Sequence, residues 1–177
     1  ARAHPVAAAI ELTHEFSLIH DDIQDDDRTR RGLPALWTLC GAAQGINVGD
    51  AMFAVARREI GATPGDAALV ADLYARYDRA CLNLVEGQFL DLSYESVDRI
   101  DSAAYLDMVS RKTGALIGAA AELGTRAGGA DPSVADEFAR FGIALGIAFQ
   151  VQDDVLGLWG DPARTGKPVG SDLLRRK

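Results

Sequence analysis

The amino-acid sequence predicts an all-α protein, a bundle of long antiparallel helices. Two observations carry this expectation. Alanine, leucine, glutamate and arginine, all good helix formers, dominate the chain, and the alternation of β-branched residues that marks strands is missing. Apolar helical stretches of about 20–28 residues are separated by short glycine- and proline-bearing breaks, the pattern of long helices with tight connections.

The helices are expected over 5–27, 39–60, 66–93, 101–127 and 132–159. The first runs into a cluster of aspartates and stops before Gly32–Leu33–Pro34. The second closes at Gly61–Ala62–Thr63–Pro64–Gly65, and the third and fourth lead to Gly128–Gly129–Ala130–Asp131–Pro132. Asp131 before Pro132 reads as an N-cap with proline at the first helical position of the fifth helix. No linker divides the 177 residues, so residues 1–177 are expected to form one domain. No fixed-period repeat is present, but an apolar helical run ending in Asp-Asp occurs twice, at Ser17–Asp22 and Ala148–Asp154.

The formal net charge of −8 disfavours nucleic-acid binding, which needs a basic face. It is compatible with phosphate ligands, because bound cations reverse the local sign of a carboxylate cluster. Cys40 and Cys81 lack metal-ligand or CxxC spacing and read as buried thiols in a reducing compartment; the expected location is cytoplasmic. No uninterrupted apolar run reaches the roughly 18–20 residues of a membrane span, so no transmembrane segment is expected. The chain opens without Met and ends in a basic run, which suggests a fragment of a longer chain.

The first aspartate cluster holds the chemistry. At about 100° per residue, His14, Asp21 and Asp25 share one helical face, within roughly 40°. Two carboxylates one turn apart offer the hard oxygen ligands Mg²⁺ prefers, with substrate phosphate oxygens completing its coordination. Asp21, Asp22, Asp25, Asp26 and Asp27 repel one another in a helix, a cost that a bound cation would relieve. Arg30 and Arg31 follow, and guanidinium groups suit phosphate oxygens. The competing reading is a solvated acidic helix end paired to arginines.

The second cluster is Phe149-Gln150-Val151-Gln152-Asp153-Asp154. Gly146, Gln150, Asp153 and Gly157 fall within roughly 60° on the wheel, a polar, recessed face suited to lining a cavity. A loop with Gly166, Lys167 and Lys177 follows, able to close on a phosphate or to be an ordinary surface loop. Cys40, Trp37 and Trp159 read as packing residues.

Taken together, these segments resemble the trans-isoprenyl diphosphate synthases of the polyprenyl synthetase family. Leu18-Ile-His-Asp-Asp-Ile-Gln-Asp25 with Arg30-Arg31-Gly32 looks like the first aspartate-rich motif of that family, and Phe149 to Asp154 like the second. Gly87-Gln88-Phe-Leu-Asp91-Leu92, Lys112-Thr113-Gly114 and Gly166-Lys167-Pro168 look like three further motifs, in matching order. The resemblance implies an isoprenoid synthase fold of helices around a central cavity, usually a homodimer. It implies condensation of isopentenyl diphosphate with an allylic diphosphate, assisted by three Mg²⁺ ions that Mn²⁺ can replace.

By the same resemblance, Asp21, Asp22, Asp25, Asp153 and Asp154 supply metal ligands. Arg30, Lys112 and Lys167 touch the allylic diphosphate, while His14, Arg31 and Lys177 help bind isopentenyl diphosphate. Gln88 belongs to the substrate-binding set, and Phe149 packs on the isopentenyl unit. Thr113 and Gln150 stand beside the carbocation. Phe16 and Ser17, five and four residues before the first motif, set product length. The pattern leans to geranylgeranyl diphosphate, with farnesyl diphosphate or a longer product as alternatives.

Three departures stand out. Gly157 replaces the last carboxylate of the second motif, with Asp161 four residues further on. The N-terminal Gly-Lys-x-x-Arg segment of the family and the helices after its closing loop are absent from these 177 residues. Two other functions share parts of the pattern. A class I terpene cyclase would carry an Asn/Ser/Glu triad where Asp153–Asp154 stand, and a non-catalytic subunit of a heteromeric synthase would carry degraded aspartate motifs.

Overall fold

A computed structural model describes residues 2–160. It bears out the all-α expectation: nearly every described residue outside short connections is helical. Two compact units divide the chain. The first comprises the segment through Ala75 with Arg126–Gly129, and the second comprises Arg76–Thr125 and the segment from Ala130 on.

The first unit contains α1 (His4–Gln24), a two-residue hairpin of β1 (Thr29–Arg30) and β2 (Leu33–Pro34), α2 (Leu36–Cys40) and α3 (Ala42–Gly61). It also holds the start of α4 (Ala67–Tyr94). α1 lies along α3, and α2 packs on both. Val6 and Ala9 of α1, Ala56 and Ile60 of α3, and Leu73 of α4 form its core. Thr13, fully buried, satisfies its hydroxyl on the Ala9 carbonyl at 2.7 Å.

Helix α1 ends three residues earlier than the apolar pattern suggests. Asp25 is its C-cap, and Asp26 takes φ 53°, a left-handed conformation that aspartate tolerates better than most residues. Placing Asp26 and Asp27 outside the helix relieves the repulsion of five carboxylates on adjacent turns. The hairpin was not anticipated. Arg31 and Gly32 both have positive φ, 52° and 77°, as a two-residue type I′ connection requires. The expected second helix is also split: Gly41 at φ 85° separates α2 from α3.

The second unit contains the rest of α4, then α5 (Ser102–Val109), a π-helical turn at Ser110–Gly114, α6 (Ala115–Ala127, in this unit through Thr125) and α7 (Pro132–Trp159). α5, the π turn and α7 pack together. Tyr77 and Leu84 of α4, Val109, and Ala119 and Leu123 of α6 are buried. Asp101 caps α5 by accepting from the Ala104 amide at 2.8 Å. Asp131 occupies the N-cap of α7 without that side-chain bond, contrary to expectation.

A charge cluster around the buried Arg76–Glu122 pair ties α4, α6 and α7 together. Arg76 Nη1 donates to Glu122 at 2.5 Å and to Asp136 at 2.7 Å, and Arg79 donates to Glu122 at 2.7 Å. Glu122 is only 4% exposed, so each arginine offsets desolvation that the carboxylate could not bear alone. The guanidinium of Arg76 holds the Asp136 carboxyl below the usual aspartate range.

The face of α7 near Gly146 is explained by packing. A Cβ on Gly146 would lie 2.7 Å from Gly114 Cα, so the glycine admits close approach of the π turn. That role replaces the cavity lining expected for this position. By length and composition alone, helix α7 is long and apolar enough to span a bilayer. Its last third nevertheless carries Gln150, Gln152, Asp153 and Asp154, polar groups that a bilayer core disfavours.

Candidate functional site

The first cluster lies at the end of α1 and in the hairpin. The I′ turn folds Arg30 back toward α1. Its Nε donates to Asp22 Oδ1 at 2.8 Å and its Nη2 to the same oxygen at 2.5 Å, while Nη2 also reaches Asp21 Oδ2 at 3.4 Å. Asp22 is buried, at 4% exposure, and is the carboxylate that Arg30 neutralises. Burial opposes the Arg30 charge, but Asp22, with Asp21 and Asp27, outweighs it and holds the guanidinium pKa above its ordinary value.

Asp21 and Asp25 stand one turn apart, and the Asp25 amide donates to the Asp21 carbonyl at 2.8 Å. Trp37 anchors the connecting loop. Its Nε1 donates to the Asp27 carbonyl at 2.8 Å, and Arg28 stacks over its ring at 5.5 Å. The expected packing role of Trp37 therefore serves the aspartate loop directly.

The other first-unit residues sit further back along α1. Arg31 pairs with Glu15 at 3.2 Å, and Glu15 also lies 4.0 Å from His14 Nδ1. Glu11, His14 and Glu15 bring ligand atoms within 4.8 Å of one another. The imidazole thus sits in an acidic patch one to two turns before Asp21. Phe16 packs against Phe53 of α3 at 5.2 Å and edge-on to His20 at 5.7 Å. Ser17 turns its hydroxyl back to the His14 carbonyl at 2.7 Å. Phe53 carried no signal in the sequence, since its meaning comes only from its contact with Phe16.

The second cluster is organised by the π turn. Gly87 of α4 lets it approach closely: a Cβ there would meet the Lys112 backbone nitrogen at 2.2 Å. The extra residue of a π turn shifts the side chains that follow it, a feature frequent at functional sites. Lys112 Nζ reaches Asp91 Oδ2 at 2.5 Å, and Arg111 pairs with Glu86 at 2.5 Å and Asp107 at 3.0 Å. Gln88, half-buried, sits on α4 one turn before Asp91.

Next to this, Thr113 Oγ1 donates to Gln150 Oε1 at 2.8 Å. Gln150 Nε2 donates to Asp154 Oδ1 at 2.9 Å, and the Tyr105 hydroxyl donates to Asp154 Oδ2. Burial, then the bond to Asp154, pushes the Tyr105 pKa well above its usual value, so the phenol stays protonated. Asp153 is exposed, and Phe149 is 59% exposed. Lys167 and Lys177, with Asp161, lie outside the described residues.

Asp21 and Asp22 thus present carboxylate oxygens beside the Arg30 guanidinium, and among the described residues the three side chains whose ligand atoms come close enough to share a metal ion are Glu11, His14 and Glu15. The polyprenyl synthetase family model matches residues 1–177. The geranylgeranyl diphosphate synthase of Mycobacterium tuberculosis is 44% identical over 175 residues, covering 99% of this chain and 50% of that protein. The geranylfarnesyl diphosphate synthase of Aeropyrum pernix is 43% identical over 180 residues, covering all of this chain and 57% of that protein. A crystal structure of a polyprenyl synthetase from Streptomyces coelicolor superposes with a TM-score of 0.93 at 44% identity, covering 99% of this chain and 52% of that one. The chain belongs to the polyprenyl synthetase family. It spans about half the length of the relatives it matches.

Proposed function

We propose that the protein containing this chain is a Mg²⁺-dependent prenyltransferase that condenses isopentenyl diphosphate head-to-tail with an allylic diphosphate. The observation that carries the proposal is the Arg30 brace: an arginine folded back on Asp22 and Asp21, on the turn that also presents Asp25. Such a turn combines metal ligands with a cation already oriented toward anionic oxygen. Family membership adds the reaction class.

In this reading Asp21, Asp25 and Asp153 hold divalent cations, and their donor chemistry fits Mg²⁺. Bound Mg²⁺ supplies charge neutralisation for the diphosphate leaving group. Arg30 and Lys112 each add positive charge for diphosphate binding, with Asp22 and Asp91 setting where each cation stands in its own unit. His14 and Arg31 bind the isopentenyl diphosphate, Gln88 supports substrate binding, and Phe149 packs on the isopentenyl unit. Lys167 and Lys177 add further positive charge for substrate binding.

The allylic carbon–oxygen bond breaks, and the isopentenyl double bond attacks the resulting cation. A proton then leaves the adduct, and the released diphosphate accepts it. The oxygens of Thr113 and Gln150 face the cation and stabilise it. Phe16 against Phe53 forms the wall that limits product growth, and geranylgeranyl diphosphate is the proposed product. The test is to incubate the full-length protein with Mg²⁺, labelled isopentenyl diphosphate and dimethylallyl, geranyl or farnesyl diphosphate. A labelled C20 diphosphate is expected; no condensation with any primer rejects the proposal.

A further inference from the structure

We infer that Tyr105 is a positioning residue that fixes the orientation of Gln150 and Thr113 by occupying one oxygen of Asp154. The inference rests on the prenyltransferase reading for its kinetic consequence, but its geometry stands on its own. Tyr105 belongs to α5, Thr113 to the π turn, and Gln150 and Asp154 to α7. Three segments thus converge on one chain of hydrogen bonds, from the Thr113 hydroxyl to Gln150, and from Gln150 and Tyr105 to the two oxygens of Asp154.

Donor and acceptor chemistry gives this chain a direction. An ionised carboxylate only accepts, so Asp154 must receive from an N–H of Gln150 and from the Tyr105 hydroxyl. With its NH₂ turned to Asp154, the Gln150 amide presents its oxygen to Thr113, which then must donate. A flipped amide would place two acceptors, Gln150 Oε1 and Asp154 Oδ1, against each other. Tyr105 holds the other end: its hydroxyl on Oδ2 keeps the carboxylate from rotating about its last torsion, which is otherwise broad. With Tyr105 and Gln150 on its two oxygens, Asp154 serves as an anchor, and metal ligation in the second motif rests on Asp153, which is exposed.

This arrangement also accounts for why a second motif with Gly157 in place of a carboxylate keeps both aspartates. One supplies a ligand and the other holds the two oxygens that face the carbocation. Nothing in the sequence singles out Tyr105, because its partner lies 49 positions away.

The test is the Tyr105→Phe variant of the full-length protein, which removes one hydroxyl and keeps the ring. Four readouts are compared with wild type: kcat and KM for condensation, Mg²⁺-dependent binding of an unreactive thio-analogue of the allylic diphosphate by calorimetry, the thermal unfolding midpoint, and a crystal structure. The expected result is a kcat at least tenfold lower, with KM and analogue affinity within twofold. The Thr113 Oγ1 to Gln150 Oε1 separation should open beyond 3.5 Å. An unchanged kcat overturns the inference. So does a parallel loss of kcat, analogue affinity and thermal midpoint, which would mark Tyr105 as part of the fold or of the metal site. If wild type itself condenses nothing, the prenyltransferase reading fails, and the crystal structure alone decides: an undisturbed Thr113–Gln150 bond overturns the positioning role, and an opened one upholds it.

Discussion

Replacing Gly87 with alanine should weaken the protein and slow it, against the usual trend for glycine in a helix. Alanine is intrinsically favoured in a helix interior by about 1 kcal/mol. At Gly87, however, the added Cβ would sit 2.2 Å from Lys112 N, 2.6 Å from Lys112 Cα and 2.7 Å from the Arg111 carbonyl carbon. Contacts below 3.0 Å are not sustained, so α4 and the π turn must part by at least 3.0 − 2.2 = 0.8 Å. The obstructing atoms are backbone and cannot rotate aside. Overpacking of this kind costs about 1–3 kcal/mol, which cancels or exceeds the propensity gain.

The net expectation for Gly87→Ala is a loss of up to about 2 kcal/mol, or a melting midpoint lower by up to about 8 °C. The same displacement moves Lys112 and Thr113, and a misplacement near 1 Å can lower turnover on the order of 100-fold. Gly124→Ala supplies the control, since nothing lies within 4 Å of its added Cβ. That variant should gain stability, by up to about 1 kcal/mol. The assay is thermal unfolding and kcat for the full-length variants. A Gly87→Ala protein as stable and as fast as wild type would refute the role assigned to this contact.

Further expectations follow from the same geometry. Arg30→Ala leaves the buried carboxylate of Asp22 without its two closest donors, and should cost about 1–3 kcal/mol in chemical unfolding; Asp22→Asn should recover part of this in the double variant. An additive double variant would show the pair to be uncoupled. Phe16→Ala and Phe53→Ala each remove one side of the ring contact and should shift products to longer chains on chromatography; an unchanged product distribution would remove both from the chain-length wall. Arg76 depresses the Asp136 pKa, so the ion pair stabilises the fold above the ordinary aspartate range and loses that contribution as pH falls through the lowered value. The stability gap between wild type and Asp136→Asn should therefore be present at pH 7 and close below about pH 4; a gap that persists in acid would contradict this.

How much of this was legible in the sequence depends on the range of the interaction. The Asp21/Asp25 pair is a local fact of helical spacing, so it could be read directly. Long helices and their breaks were legible for the same reason, because periodicity and glycine or proline signals act over a few residues. The hairpin that turns Arg30 onto Asp22 was not, although Arg31–Gly32 could have hinted at a turn. The contact of the π turn with α4 was hidden because Gly87 lies 25 positions from Lys112. Gly146 was misread for a related reason: a glycine that admits another helix and a glycine that lines a cavity look alike without the partner. Tyr105 and Phe53 gain their meaning only from contacts made by folding.

The central claim is that the carboxylates of the first motif hold a diphosphate through a divalent cation. Calorimetric titration of the full-length protein with an unreactive allylic diphosphate analogue, with and without Mg²⁺, tests it directly. The account predicts binding that requires Mg²⁺ and that weakens at least tenfold in Asp21→Asn and in Asp25→Asn. Equal affinity in the presence of excess chelator, or in either variant, would contradict it.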